Sequence, residues 1–180
     1  MDTTYAWDPR MVGLGLLVGR SVLGALFAAH GSQKLFGWFR GYGLGGTGDF
    51  FASLGFSPGR TFAAAAGLAE LASGLLILLG FLGPVGPALL LAVMTVAVIT
   101  VHRGNGLLAT SNGVELPLLY AAAATALALA GFGPYSLDAL LGTAGIWSGT
   151  TTWGVLGAGI ASGLVGAVVR RSAAPRRVAS

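Results

Sequence analysis

The stretch MVGLGLLVGRSVLGALFAA at residues 11–29 is almost entirely apolar and indicates a membrane protein. A helix of about 20 apolar residues crosses the hydrocarbon core of a bilayer, and this stretch is long enough to do so. It is also longer than the apolar part of a signal peptide, about 7–15 residues, and a polar motif follows it instead of a small-residue cleavage site. We therefore predict a retained transmembrane helix from about Met11 to Phe36.

Four more apolar runs follow, separated by glycine, proline and a few charges. They are Arg60–Phe81, Ala88–Val101, Val114–Ala130 and Trp153–Val169. Together with the first run they predict an all-α integral membrane protein, with a four-helix bundle and a fifth, C-terminal transmembrane helix.

A short helix is expected between the first two spans. Thr47 is a suitable N-cap for it, and Phe50, Phe51 and Leu54 share one of its faces. The segment is too short to cross a bilayer, so we expect it to lie in the membrane interface.

Composition excludes several classes of protein. Hydrophobic residues make up 54% of the chain and charged residues 9%, against about 25% charge in soluble domains. The net charge of +4 is scattered and does not form a patch that would bind nucleic acid. The chain has no cysteine, which excludes disulfide exchange, thioether-linked haem and cysteine-ligated iron–sulfur clusters. Any redox role would need a bound cofactor or a partner subunit.

The chain divides into two predicted parts. Residues 1–142 form the four-helix membrane core, and residues 143–180 form the C-terminal transmembrane helix and a basic tail. In that last helix Gly159 and Gly163 have the Gly-x-x-x-Gly spacing that permits close helix contact. The arginines at its end suit the anionic headgroups of lipids: Arg170, Arg171, Arg176 and Arg177.

The distribution of lysine and arginine predicts the orientation. With five spans, one side holds Lys34, Arg40, Arg60, Arg103 and the tail arginines, whereas Arg10 lies on the other side. Cytoplasmic loops carry the excess of positive residues. We therefore expect the N-terminus outside the cell and the C-terminus in the cytoplasm.

Seven polar residues are candidates for a ligand or proton-relay site. A charge inside a membrane helix is costly and by default marks function or a buried partner. Three of the seven follow i, i+3, i+4 spacing at the cytoplasmic end of the first span, so they share one face. Most of the others end or begin spans on the same side. The set is His30, Gln33, Lys34, Glu70, His102, Asn112 and Glu115. Such a cluster at a bundle mouth, under a Phe-rich helix, predicts a binding site.

Structural roles for the same residues remain open. Asn112 and Glu115 fit a capping box at the start of the fourth span. Lys34 fits a side chain that reaches the headgroups, and His102 fits a simple helix end. His30 fits a buried histidine whose hydrogen bonds are satisfied.

A structural ion pair is expected between Arg20 and Glu70. Glu70 lies about 15 Å, and Arg20 about 22 Å, from the cytoplasmic ends of their helices at 1.5 Å per residue. The offset of about 7 Å is within reach of an arginine side chain.

We expect neither a metal nor an intrinsic cofactor. Imidazole and carboxylate groups suit iron, zinc or manganese. However, the chain has no Glu-x-x-His pair of the kind that di-iron bundles use, and its candidate ligands are dispersed. Haem held by both histidines is disfavoured because His30 and His102 are expected near one membrane face.

Five motifs follow one another between residues 11 and 142. They are His30-Gly-Ser-Gln33-Lys34-Leu-Phe-Gly-Trp38, Gly67-Leu-Ala-Glu70-Leu with Gly74 and Gly80, His102-Arg-Gly-Asn105-Gly, Asn112-Gly-Val-Glu115 and Gly133-Pro-Tyr-Ser-Leu-Asp138. In this order and spacing they resemble the DoxX family of bacterial membrane proteins. The chain is similar to longer, actinobacterial-type members that carry a C-terminal extension.

The resemblance implies a four-helix core in the bacterial plasma membrane and a redox-linked subunit near the quinone pool. Relatives are associated with thiosulfate:quinone oxidoreductase, terminal oxidase or oxidative-stress complexes. It therefore implies a soluble redox enzyme or another membrane subunit as partner, with homo-oligomers also open. In a quinone site, His30 or Lys34 could bind a carbonyl, and Glu70 or Glu115 could relay its proton.

Two other functions stay open from the sequence. One is a transporter of protons or small solutes, although the spans show no convincing inverted repeat. The other is a scaffold that anchors a complex through the Gly-x-x-x-Gly helix and the tail.

Overall fold

The computed structural model describes residues 8–170, and these form a helical bundle without β-strands. Four segments in this range are long and apolar enough to cross a membrane: Pro9–Phe36, Gly59–Leu79, Val85–Asn105 and Gly149–Val169. The all-α membrane fold is therefore confirmed. The α-helices are α1 (Pro9–Phe36), α2 (Gly43–Ser53), α3 (Gly59–Leu79), α4 (Val85–Ala97), α5 (Glu115–Ala130), α6 (Leu137–Leu140) and α7 (Gly149–Val169).

The expected fourth span, α5, is shorter than the other four. Its 16 residues extend about 24 Å, less than the roughly 30 Å of a hydrocarbon core. Its first turns nevertheless lie near the C-terminal end of α1, where Tyr120 meets His30. The segment that follows α5 lies near the start of α1, where Pro134 is close to Gly13. The chain therefore passes from one end of the bundle to the other through α5.

The bundle has two ends that differ in charge. The "Lys34 end" comprises the end of α1, α2, the start of α3, residues 98–114 and the end of α7. The "Arg20 end" comprises the start of α1, the α3–α4 turn and residues 131–148. At the Lys34 end lie Lys34, Arg40, Arg60, Arg103 and Arg170. Most basic residues of the described chain are thus at one end, as the count of lysine and arginine predicted. The last three tail arginines lie outside the described residues.

Glycines bring α1 and α3 into backbone contact. A Cβ atom added at Gly24 would lie 2.6 Å from the carbonyl oxygen of Gly74. Two turns further along α1, a Cβ at Gly31 would lie 2.7 Å from the carbonyl oxygen of Gly67. The two helices are antiparallel, and the reciprocal pairs are seven residues apart on each helix. Since lipid provides no hydrophobic drive between helices, such close packing of small residues is what stabilises the pair.

The Gly-x-x-x-Gly pair of the last helix is used within the chain. Gly159 packs on the carbonyl of Ala88, and a Cβ at Gly163 would lie 2.6 Å from the carbonyl oxygen of Ala92. Residue numbers rise together along both helices, so α7 runs parallel to α4. Because α4 already covers these two glycines, the scaffold alternative would have to use other residues of α7.

Helix boundaries depart from the predicted ones around α4 and α2. Pro87 lies inside the first turn of α4 and not in the preceding turn. A proline is tolerated there because first-turn N–H groups have no partner within the helix. At its other end α4 continues as a π-helical turn, Val98–His102, and a 3₁₀ turn, Arg103–Asn105. Thr47 is not an N-cap, since α2 already begins at Gly43.

Candidate functional site

A cavity of about 630 Å³ lies inside the Lys34 end of the bundle. Helices α1, α3, α4, α5 and α7 form its walls, and α2 with the following loop covers it through Phe50, Phe51, Leu54 and Phe56. Most of the lining is aliphatic or aromatic. The polar side chains in the wall include His30, Lys34, Glu70, Thr100, His102 and Tyr120. This is the usual make-up of a small-molecule site, with apolar walls and a few polar groups that fix orientation.

Lys34 and Glu70 form a salt bridge across α1 and α3. The Lys34 Nζ lies 2.9 Å from Glu70 Oε1 and 2.6 Å from Oε2. The Glu70 side chain is only 4% exposed, whereas that of Lys34 is 27% exposed. A buried carboxylate is tolerated when it is paired and hydrogen-bonded, and Lys34 meets that need on both oxygens. The pair therefore places opposite charges in the wall of an otherwise apolar cavity.

His30 lies one turn before Lys34, and each of its two ring nitrogens has a hydrogen-bond partner. Its Nδ1 is 3.2 Å from Gln33 Oε1, and its Nε2 is 3.5 Å from the Tyr120 hydroxyl. Gln33 in turn donates from Nε2 to the carbonyl of Phe39 at 3.2 Å. The His30 and Tyr120 rings meet edge to face, with centroids 6.0 Å apart. His30, Gln33 and Lys34 thus share one face of α1, as their spacing predicted. His30 and Lys34 line the cavity, whereas Gln33 does not line it and contacts His30.

The expected ion pair between Arg20 and Glu70 is not formed, and this prediction is wrong. The glycine contacts place Gly31 opposite Gly67–Leu71 and Gly24 opposite Gly74–Leu78. This register puts Glu70 level with His30, whereas Arg20 lies about ten residues, or about 15 Å, further along α1. The prediction placed the last residue of α1 and the first residue of α3 at the same depth. In the structure α3 begins beyond the end of α1.

Arg20 instead serves the Arg20 end of the bundle. It is 3% exposed, and its guanidinium donates to the carbonyls of Leu78 and Tyr135. Leu78 belongs to the last turn of α3, where carbonyl groups lack partners within the helix and carry partial negative charge. Arg20 therefore stabilises the end of α3 and fastens the segment after α5 to it.

Asp138 is a second buried charge at the Arg20 end. Its carboxylate accepts hydrogen bonds from the backbone N–H groups of Leu82 and Gly83, at 3.1 and 2.7 Å, and from the Thr143 hydroxyl at 2.8 Å. Leu82 and Gly83 both have positive φ, so the turn is tight and leaves its N–H groups pointing at the carboxylate. Asp138 thus holds the α3–α4 turn against α6.

Three predicted site residues stabilise the loop between α4 and α5. His102 lines the cavity, but its Nδ1 is 2.8 Å from the carbonyl of Asn112. Glu115 accepts from the N–H of Ala109 at 2.7 Å. The capping-box interpretation is wrong, because Asn112 adopts a left-handed conformation and Val114 is the N-cap of α5. Asn112 lies in the loop, Glu115 is the first residue of α5 and bonds back to that loop, and neither is part of the cavity lining.

Sequence reasoning missed Tyr120 and the contribution of α7. The Tyr120 hydroxyl reaches His30, and a polar group in an apolar helix was the available signal. Ser162, Gly163 and Gly166 of α7 also line the cavity. No pattern in the sequence places them there, because it depends on how α7 packs against α4. Across residues 8–170 no three His, Asp or Glu side chains converge on a point that could hold a metal ion.

Fold and site together define a polytopic α-helical membrane protein with a mostly apolar cavity that opens near one end of the bundle. Residues 15–103 match the family model DoxX, and the chain belongs to the DoxX family. The match runs from within α1 through α4 and the π-helical turn after it, and so includes His30, Lys34, Glu70 and His102. No curated protein and no solved structure gives a significant match.

Proposed function

We propose that this protein is a redox-linked membrane subunit that binds a quinone in the cavity at the Lys34 end. The observation that carries the proposal is the combination of a cavity of about 630 Å³ with polar groups concentrated on α1, α3 and α5. A quinone has a flat apolar ring, an apolar tail and carbonyl oxygens. The aromatic and aliphatic walls suit the ring and tail, and the polar groups suit the oxygens.

The polar groups have distinct roles in this proposal. Lys34 uses two of its three N–H donors on Glu70, so one remains for a ligand oxygen. Glu70 is a buried carboxylate that can exchange a proton with a bound ligand, as ionisable residues within membranes often do. His30 and Tyr120 form a second polar point in the same wall.

A partner protein is part of the proposal. A chain without cysteine has no thiol chemistry or cysteine-ligated cluster of its own. Electrons would therefore pass between the bound quinone and the cofactor of a partner. We place the partner at the Lys34 end, next to the cavity, and we propose that this end faces the cytoplasm because it carries most of the basic residues.

A photoreactive azido-naphthoquinone tests the quinone site. The purified protein in nanodiscs is irradiated with the probe, and the labelled peptides are identified by mass spectrometry. We expect labels on the cavity-lining turns of α1, α3 and α5, and loss of labelling when unlabelled naphthoquinone is added. Glu70→Gln should reduce the labelling about fivefold or more, because the carboxylate that meets the ligand in the cavity wall is lost.

Asp49→Asn is the matched control. It makes the same carboxylate-to-amide change at an exposed residue of α2 that does not line the cavity. It should label like the wild type. Labels spread evenly over the lipid-facing surface, or labelling that excess naphthoquinone does not reduce, would contradict the proposal.

A further inference from the structure

A line of hydrogen bonds runs from the loop after α1 to the cavity. It begins at the carbonyl of Phe39, which accepts from Gln33 Nε2 at 3.2 Å. Gln33 Oε1 lies 3.2 Å from His30 Nδ1, and His30 Nε2 lies 3.5 Å from the Tyr120 hydroxyl. Tyr120 lines the cavity, so this line of bonds connects a loop carbonyl to the surface that meets a ligand.

The carbonyl of Phe39 is the first acceptor in the line, and it fixes which atom donates and which accepts in each of the other hydrogen bonds. A backbone carbonyl can only accept, so the amide nitrogen of Gln33 must face Phe39 and its amide oxygen must face His30. That oxygen accepts only if His30 carries its proton on Nδ1. The Nε2 of the neutral ring is then unprotonated and accepts a hydrogen bond from the Tyr120 hydroxyl.

We propose that Gln33 is a positioning residue that sets this polarity, so that Tyr120 presents an acceptor oxygen to the cavity and the site selects the hydroxyl-bearing, reduced form of its ligand. The inference rests on the proposed quinone function and deepens it. A hydroquinone offers O–H groups that Tyr120 can accept. A quinone offers only carbonyl oxygens, whose lone pairs would face those of Tyr120.

The other polar groups of the cavity agree with this preference. Glu70 is an acceptor on both oxygens, and Lys34 contributes one remaining N–H donor. His102 is engaged with the carbonyl of Asn112. A hydroquinone can accept from Lys34 at one oxygen and donate to Tyr120 from the other, because each of its hydroxyls does both.

The tautomer of His30 is measured directly by nitrogen NMR on protein labelled with ¹⁵N-histidine. The chain has two histidines, so a His102→Asn variant assigns the signals. In the wild type we expect a protonated Nδ1 and a bare Nε2 for His30. In Gln33→Met, which keeps the side-chain length but removes the acceptor, we expect a mixture of tautomers. A wild-type His30 with its proton on Nε2 would overturn the inference.

The ligand preference is measured by anaerobic calorimetry with a short-tailed 1,4-naphthoquinone and its reduced hydroquinone. We expect the reduced form to bind about tenfold more tightly, because an unmet polar contact in a buried site costs about that factor. Gln33→Met should bring the two affinities within about threefold, since Tyr120 can then turn its hydrogen into the cavity. Ser32→Ala, on the same helix turn but bonded to its own helix, should keep the wild-type ratio.

The two proposals fail in different ways. Equal affinities of the wild type for both forms would overturn the selection while leaving the quinone site in place. Binding of neither form would overturn the quinone site and the ligand selection together, whereas the NMR result would still decide the tautomer.

Discussion

Lys34 of α1 and Glu70 of α3 are joined by two contacts of 2.6 and 2.9 Å in the wall of the cavity. Removal of one partner leaves the other charge buried without compensation, whereas removal of both leaves an apolar wall. Lys34→Met should therefore lower the free energy of unfolding by about 3–5 kcal/mol, and Lys34→Met/Glu70→Met should recover most of that loss. Thermal unfolding of the purified proteins in one detergent measures both. Additive losses in the double variant would contradict the buried pair.

Glycine contacts between α1 and α3 give a second prediction. Gly24→Ala would place a methyl group 2.6 Å from the carbonyl oxygen of Gly74, so the helices must separate. We expect little folded, monodisperse protein by fluorescence-detected size exclusion. Gly15→Ala, on the same helix, meets nothing within 4 Å and should express like the wild type. Equal behaviour of the two variants would show that the close approach of α1 and α3 is not required.

The contact between α4 and α7 is tested in the same way. Gly163→Leu would push a side chain into Ala92 and Thr95 of α4, whereas Gly157→Leu faces open space. Since Gly163 also lines the cavity, the first variant should lose both thermal stability and naphthoquinone labelling. The second should retain both. If Gly163→Leu keeps full stability, α7 does not pack on α4 as described.

Asp138 is predicted to stabilise the Arg20 end. Asp138→Asn replaces an acceptor oxygen by an N–H₂ group that faces backbone donors, so we expect a loss of about 1–3 kcal/mol in unfolding free energy. Thr143→Val removes one of the three hydrogen bonds and should cost about 1 kcal/mol. Thermal unfolding compares both with Asp49→Asn, which changes an exposed carboxylate and should be neutral. A neutral Asp138→Asn would contradict the role assigned to these three bonds.

Orientation in the membrane is tested with single cysteines, for which the cysteine-free chain is a clean background. Leu140 and Gly104 are exposed and lie at opposite ends of the bundle. Because basic residues gather at the Gly104 end, we expect an impermeant maleimide to label Leu140→Cys in intact cells. Gly104→Cys should react only after permeabilisation. The reverse pattern would invert the orientation.

Local sequence patterns were sufficient to predict several features. Hydropathy over about 20 residues predicts the long helices, because each must satisfy its own backbone in lipid. Helical spacing puts His30, Gln33 and Lys34 on one face, and the scarcity of charge singles out Glu70. These features depend on residues within one helix, which the sequence shows directly.

The partners of those residues depend on how the helices pack against one another. Glu70 meets Lys34 and not Arg20 because glycine contacts fix how far α3 is displaced along α1, and helix lengths do not reveal that displacement. Tyr120 reaches His30 only because α5 packs beside α1. Patterns within single helices therefore predict a membrane bundle and its polar residues. The register between helices, set by backbone contacts between distant residues, selects which of those polar residues line the cavity.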